Sequence, residues 1–165
     1  MLLGPPGGGK STVGAALGAL GYRWREWEPT LLERWGSREN FIANKERALR
    51  EHQGDLAAFI SEPGEPAVLE TTGVSDAAFL DILARAADVF VVRLDVPLDE
   101  ALRRVRTRAA GAHLSDDEER NRATWQAFEE RVVPNRAVNL VIDTTTVRAE
   151  EAAARIHGAF SLRPE

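Results

Sequence analysis

The chain contains no cysteine, which excludes disulfides, thiolate metal sites and a cysteine nucleophile together. No apolar run approaches the eighteen or so residues that a membrane span needs, and no signal peptide is visible. An excess of positive charge is also missing. Lys and Arg number 21 against 26 Asp and Glu, giving a net charge of −5, so no broad basic field favours nucleic acid. Only three histidines occur, and none has a partner at metal-ligand spacing. His52 and His157 read as surface residues. Neither repeat nor linker nor low-complexity tract divides the chain. These absences leave a cytoplasmic, single-domain protein of 165 residues, monomeric or homodimeric and long enough to bury a proper core.

What is present begins at once. Gly4-Pro5-Pro6-Gly7-Gly8-Gly9-Lys10-Ser11-Thr12 matches G-x-x-x-x-G-K-[ST], the phosphate-binding loop called Walker A. Pro5 and Pro6 have no N–H and shape the entry, so the donors come from Gly7 onward. Gly7, Gly8 and Gly9 permit positive φ and close approach of a phosphate to the backbone. Lys10 can reach the β- and γ-phosphates, and Ser11 can put its hydroxyl on Mg²⁺. Val13, Ala16, Leu17 and Leu20 fall on one face of the helix that follows, and Gly21 ends it. Only Met1-Leu2-Leu3 precede Gly4. Either the first strand is very short or the native chain starts upstream.

Tyr22-Arg23-Trp24-Arg25 alternates weakly, as a short second strand would. Glu26 and Glu28 follow at i, i+2, and share a side if the backbone stays extended. Residues 30–60 read as helical, with Leu31, Trp35, Phe41, Leu49, Leu56 and Phe59 among the apolar positions. Ala67 to Gly73 reads as a buried strand, and its Glu70 is positioned to serve Mg²⁺ or its water shell. Thr71, Thr72 and Gly73 could line an acceptor site. A helix is expected from Ser75 through Ala86. Val89 to Asp95 is the clearest strand; Asp95 is an alternative metal-linked acid, though a structural role suits it better. In the next helix Leu98, Leu102 and Val105 form the buried face. Arg104 and Arg108 lie about 40° apart on one flank, suited as arginines to swing onto phosphates. After them Ala109 to His113 looks flexible. A helix from Ser115 to Val132, a strand from Ala137 and a closing helix from Ala149 complete the chain. Trp24 or Trp27 could stack on an acceptor.

With the phosphate loop, the alternating strands and helices, and Leu94-Asp95-Val96-Pro97 before an arginine-bearing helix, the chain resembles P-loop small-molecule kinases, in particular shikimate kinases. The resemblance runs over nearly the whole chain. It implies a three-layer α/β/α fold with a five-stranded parallel sheet in order 2-3-1-4-5, Mg-ATP as donor, and a mobile lid at about 106–118. Glu26 and Glu28 fall where shikimate kinases carry an Asp-x-Asp pair, and Thr71-Thr72-Gly73 where they carry a Gly-Gly-Gly acceptor loop. The expected activity is transfer of the γ-phosphoryl of ATP to a hydroxyl of a small metabolite. Gly7, Gly8, Gly9, Lys10, Ser11, Thr12 and Arg104 would hold the nucleotide, with Ser11 and Glu70 at the metal. Lys10, Glu26, Glu28, Glu70, Arg104 and Arg108 are the catalytic candidates. Two other readings remain: a nucleoside or nucleotide kinase, and an ATP-binding switch with little turnover.

Overall fold

The computed structural model describes residues 1–74, 83, 88–108 and 116–163. Its centre is a parallel sheet of β1 (Leu2–Leu3), β2 (Glu70–Thr71), β3 (Val92–Asp95) and β4 (Leu140–Asp143), in the order β2-β1-β3-β4. Neighbours are in register from Leu2 opposite Glu70 and Val92 to Asp95 opposite Asp143. Because the strands are parallel, their carboxyl ends share one edge, where ligands of open α/β sheets collect.

The helices are α1 (Lys10–Ala19), α2 (Trp27–Trp35), α3 (Arg38–Ala43), α4 (Lys45–Ser61), α5 (Leu98–Arg106), α6 (Glu118–Ala127) and α7 (Ala149–Ser161). Both faces of the sheet are covered, as a short strand such as β1 makes plain. Successive side chains point to opposite faces. Leu2 joins Val13, Leu17, Val92, Leu94, Ile142, Ala152, Ala153 and Ile156 under α1 and α7. Leu3 joins Phe128 and Val132 on the other face. The three-layer parallel α/β arrangement is the expected one.

Four strands, not five, are found among the described residues. The expected second strand is reduced to one parallel bridge, Arg23 to Ala67. Arg23 N–H donates to Pro66 O at 3.0 Å and Arg23 O accepts from Val68 N–H at 2.8 Å. Pairing stops there because α2 begins at Trp27, and the chain has turned away before a second pair of bonds can form. This also corrects the expectation for Glu26 and Glu28. Glu26 is extended at the helix N-cap and Glu28 lies inside the first turn, so strand spacing does not relate them.

Helix α1 ends as its glycine suggests. Gly21 has φ 95°, its N–H donates to Gly18 O at 3.0 Å, and Tyr22 N–H donates to Leu17 O at 3.2 Å. These two bonds satisfy the last carbonyls of the helix. Leu20, expected on the buried face, is 49% exposed, because it sits past the end of the helix at the C-cap. Helix α6 starts on the Asp117 side chain, which accepts from Arg120 N–H, and runs into a π-helical turn at Phe128–Val132. There Val133 N–H reaches back five residues to Phe128 O at 3.0 Å. The helix expected over 75–86 lies outside the described residues except for Leu83, which is buried. The flexible-looking segment with His113, at the middle of the expected lid, also lies outside them.

Candidate active site

Strand β1 delivers the chain to Gly4, and α1 carries it away from Lys10. Between them the loop turns through Gly7 at φ 76° and Gly9 at φ 83°, conformations that other residues rarely adopt. Gly7 is also short of room: a Cβ there would stand 2.9 Å from the Ala101 Cα and carbonyl carbon. Gly8 N–H, expected to face a phosphate, donates inside the loop to Pro5 O at 3.0 Å. The first backward bond of the helix runs from Val13 N–H to Gly9 O at 3.0 Å. The preceding N–H groups therefore point past the helix start, where its dipole is positive. Lys10 Nζ is folded over the loop and donates to Gly4 O and Pro5 O, each at 2.9 Å.

Glu70 stands opposite Ser11. The Ser11 hydroxyl donates to Glu70 Oε2 at 2.9 Å, and the Trp24 indole N–H donates to Glu70 Oε1 at 2.5 Å. Burial pushes the Glu70 carboxyl above the usual carboxylate range, with the Trp24 and Ser11 hydrogen bonds and Lys10 opposing it. Hence the group is expensive to ionise and is held by donors aimed at its ionised form.

On the other side of the loop Arg104 is fully engaged with protein. Its Nε donates to Glu100, its Nη1 to Thr144 Oγ1 at 2.9 Å and Gly7 O at 3.2 Å, and its Nη2 to Thr144 O at 2.8 Å. Arg103 is occupied by Glu100 and Arg106 by Glu118. Arg108 lines the cleft, and its Nε is buried with no hydrogen-bond partner among the described residues. Asp95 is bound by Arg93 at 2.7 and 3.1 Å, an ion pair within one strand.

These groups border one cleft of about 710 Å³. It begins at Gly7–Thr12 and Glu70, and passes Glu26, Glu28, Thr71 and Thr72. Trp27, Leu31, Phe41 and Leu56 also line it, as do Arg108, Arg120, Asn121 and Thr124. Lys10, Ser11, Glu26, Glu28, Glu70, Arg104 and Arg108 are thus brought to a single cavity. Trp24 is not part of its lining; it lies behind Glu70, packed against the α1 side of the core. His52 is no mere surface residue either. It lines the cleft, its ring edge-on to Trp27 at 5.2 Å.

The sequence profile of shikimate kinase matches residues 6–160. The chain belongs to the shikimate kinase family. It is an ATP-dependent P-loop kinase of a small-metabolite hydroxyl. Among solved structures, it is similar to "Shikimate kinase from Acinetobacter baumannii in complex with shikimate". The TM-score is 0.70, with 20% identity, over 97% of this chain and 90% of that one. It is also similar to deoxyadenosine kinase from M. mycoides with bound dATP, with TM-score 0.63 and 16% identity over 97% of both chains. At these identities the likeness shows the fold. Comparison with curated protein sequences gives no match.

Within this shikimate kinase family member, several cleft residues escape sequence reasoning. Arg120, Asn121 and Thr124 on α6 are not among the expected site residues, yet all three line the cleft, and Asn121 is 3% exposed. The available signal was Thr124, three residues after Asn121 and four after Arg120, a spacing that sets it beside each of them on the helix surface. Gln53 and His52 on α4 left no such mark. Thr144, at the end of β4, is found only through Arg104.

Proposed function

We propose that Lys10, Ser11 and Glu70 form the phosphoryl-transfer end of this cleft, and that the acceptor binds between Glu26, Glu28 and the α6 wall. One observation carries the reading: a lysine, a hydroxyl and a carboxylate converge on the phosphate loop at the mouth of a cavity with room for a second substrate. Phosphoryl transfer needs positioning and charge neutralisation more than covalent help from the protein. Lys10 would leave the Gly4 and Pro5 carbonyls for the stronger, charge-assisted bond to a phosphate oxygen. Glu26 or Glu28 would orient the acceptor hydroxyl. Arg108, at the far side of the loop, would meet the transferred group.

The donor set fits Mg²⁺. Ser11 Oγ and Glu70 Oε2 are hard oxygens 2.9 Å apart, and no group of three or more His, Asp or Glu among the described residues could cage a metal. Mg²⁺ prefers this arrangement: one or two protein oxygens, completed by phosphates and water. When bound, the ion supplies neutralisation of charge on the β- and γ-phosphates.

A nucleoside acceptor is the second reading, favoured by Trp27 and Phe41 in the cleft wall, since aromatic faces suit a base. The test is Mg-ATP consumption against shikimate, sugar acids, nucleosides, nucleoside monophosphates and aminoglycosides, with Lys10→Ala as blank. One acceptor should raise turnover well above the acceptor-free rate. A flat panel would leave the acceptor assignment without support.

A further inference from the structure

The cleft residues do not explain why Gly14 interrupts α1. Glycine inside a helix costs about 0.5–1 kcal/mol relative to alanine, and Gly14 is buried in the middle of its helix. Its φ is not positive, so backbone conformation does not demand it. Space does. A Cβ at Gly14 would overlap the Trp24 indole nitrogen, and would stand 2.6 Å from Trp24 Cδ1 and 2.7 Å from Glu70 Oε1. The gap left by Gly14 is where the indole meets the carboxylate.

We infer that Trp24, seated in the gap at Gly14, is a positioning residue that aims Glu70 at the metal-binding hydroxyl of Ser11. The inference rests on the proposed metal site. Two donors fix the two oxygens of Glu70: Trp24 Nε1 on Oε1 at 2.5 Å and Ser11 Oγ on Oε2 at 2.9 Å. With Oε1 held, Oε2 faces the loop, and its remaining lone pair can accept from a water on the ion. A carboxylate that accepts the proton of a ligating hydroxyl also makes that oxygen a better ligand. An indole suits this task because it donates without charge. A lysine or arginine in its place would neutralise Glu70 and repel the cation. The indole is also rigid and packed against the core with Tyr22 and Leu17, so little freedom is lost in holding the bond.

The test is calorimetric binding of ADP, with Mg²⁺ and with EDTA, to the parent protein, Trp24→Phe, Gly14→Ala, Glu70→Gln and the Trp24→Phe/Glu70→Gln pair. Thermal melts establish that each is folded. Trp24→Phe keeps the packing and loses the N–H. It should reduce the Mg²⁺-dependent gain in ADP affinity about tenfold, within the range for groups that support metal ligands, and leave metal-free ADP binding within twofold. Gly14→Ala should lose at least as much of the Mg²⁺ gain, since its Cβ would crowd both the indole and Glu70 Oε1. The pair should be no worse than Glu70→Gln alone, because Trp24 acts only through Glu70. Equal losses with and without Mg²⁺, or an unchanged Mg²⁺ gain in Trp24→Phe, would overturn the role of Trp24 while the metal site stands. No Mg²⁺ gain in the parent protein would overturn the site and the role together.

Discussion

Arg104 Nη1 and Thr144 Oγ1 are 2.9 Å apart, and the same nitrogen reaches Gly7 O at 3.2 Å. One guanidinium thus ties the phosphate loop to the loop after β4. The expectation that Arg104 would swing onto phosphates meets a side chain already held on three sides. It braces the loop at Gly7 instead. Lysine cannot reproduce a planar fork. Arg104→Lys should weaken ADP binding about tenfold, in line with the roughly 1.5–3 kcal/mol of a hydrogen bond to a charged group. Calorimetry in the absence of metal measures it, and unchanged affinity would remove the brace.

Glu100 carries the acid-sensitive part of this brace. The Arg103 hydrogen bond first, and the Arg104 hydrogen bond second, hold its carboxyl at about 2 against an ordinary 4.5. A carboxyl depressed on folding stabilises above its unfolded pKa and loses that contribution as pH falls through the folded one. The contribution is therefore full above about pH 4.5 and gone near pH 2. Glu100→Gln should unfold at lower urea than the parent at pH 7, with the gap closing between those limits. A gap that stays constant down to pH 2 would contradict the ion-pair account.

Gly7 and Gly21 offer a paired comparison. Both have positive φ, at 76° and 95°, but only Gly7 is crowded, against Ala101; at Gly21 a Cβ would meet nothing within 4 Å. Gly21→Ala should cost about 1–3 kcal/mol of stability from conformation alone and spare ADP binding. Gly7→Ala should cost more and abolish ADP binding, since either the loop or α5 must move. Urea denaturation and calorimetry separate the two effects.

Phe128 is fully buried against Leu3 and Val132. Phe128→Ala should destabilise by about 3–5 kcal/mol, the range for large aromatic truncations. In urea-free buffer the folded fraction should still bind ADP with near-parental affinity, because Phe128 touches the sheet and not the cleft.

The glycine turn that opens α1 was legible because the nine residues from Gly4 to Thr12 act as neighbours, each with a local reason to be there. Gly21 announced the end of α1 in the same way. The second strand stands where it is expected, beside Ala67, but is only one bridge long, because alternation at Tyr22–Arg25 carries no information about how soon α2 begins. Trp24 and Glu70 were individually visible, but 46 residues separate them, and their contact depends on a missing side chain at Gly14. The α6 contribution to the cleft was not legible because helical periodicity reports which residues share a flank, and says nothing of what that flank faces. A kinase family could be read from local motifs. The far part of the cleft is assembled from α2, α3, α4 and α6, and no local pattern encodes their convergence.

The π-helical turn at Phe128–Val132 has an evolutionary corollary. Ahead of it Asn121 and Thr124 look into the cleft; within it Phe128 and Val132 look into the core. The wide turn takes up one residue more than ordinary winding needs over nearly the same angle, so losing one residue from it would restore ordinary winding and leave the two sides nearly in phase. Descendants of this chain can therefore lose a codon within residues 129–131 more readily than one within residues 125–127, where ordinary winding would turn the cleft side against the core side by about 100°.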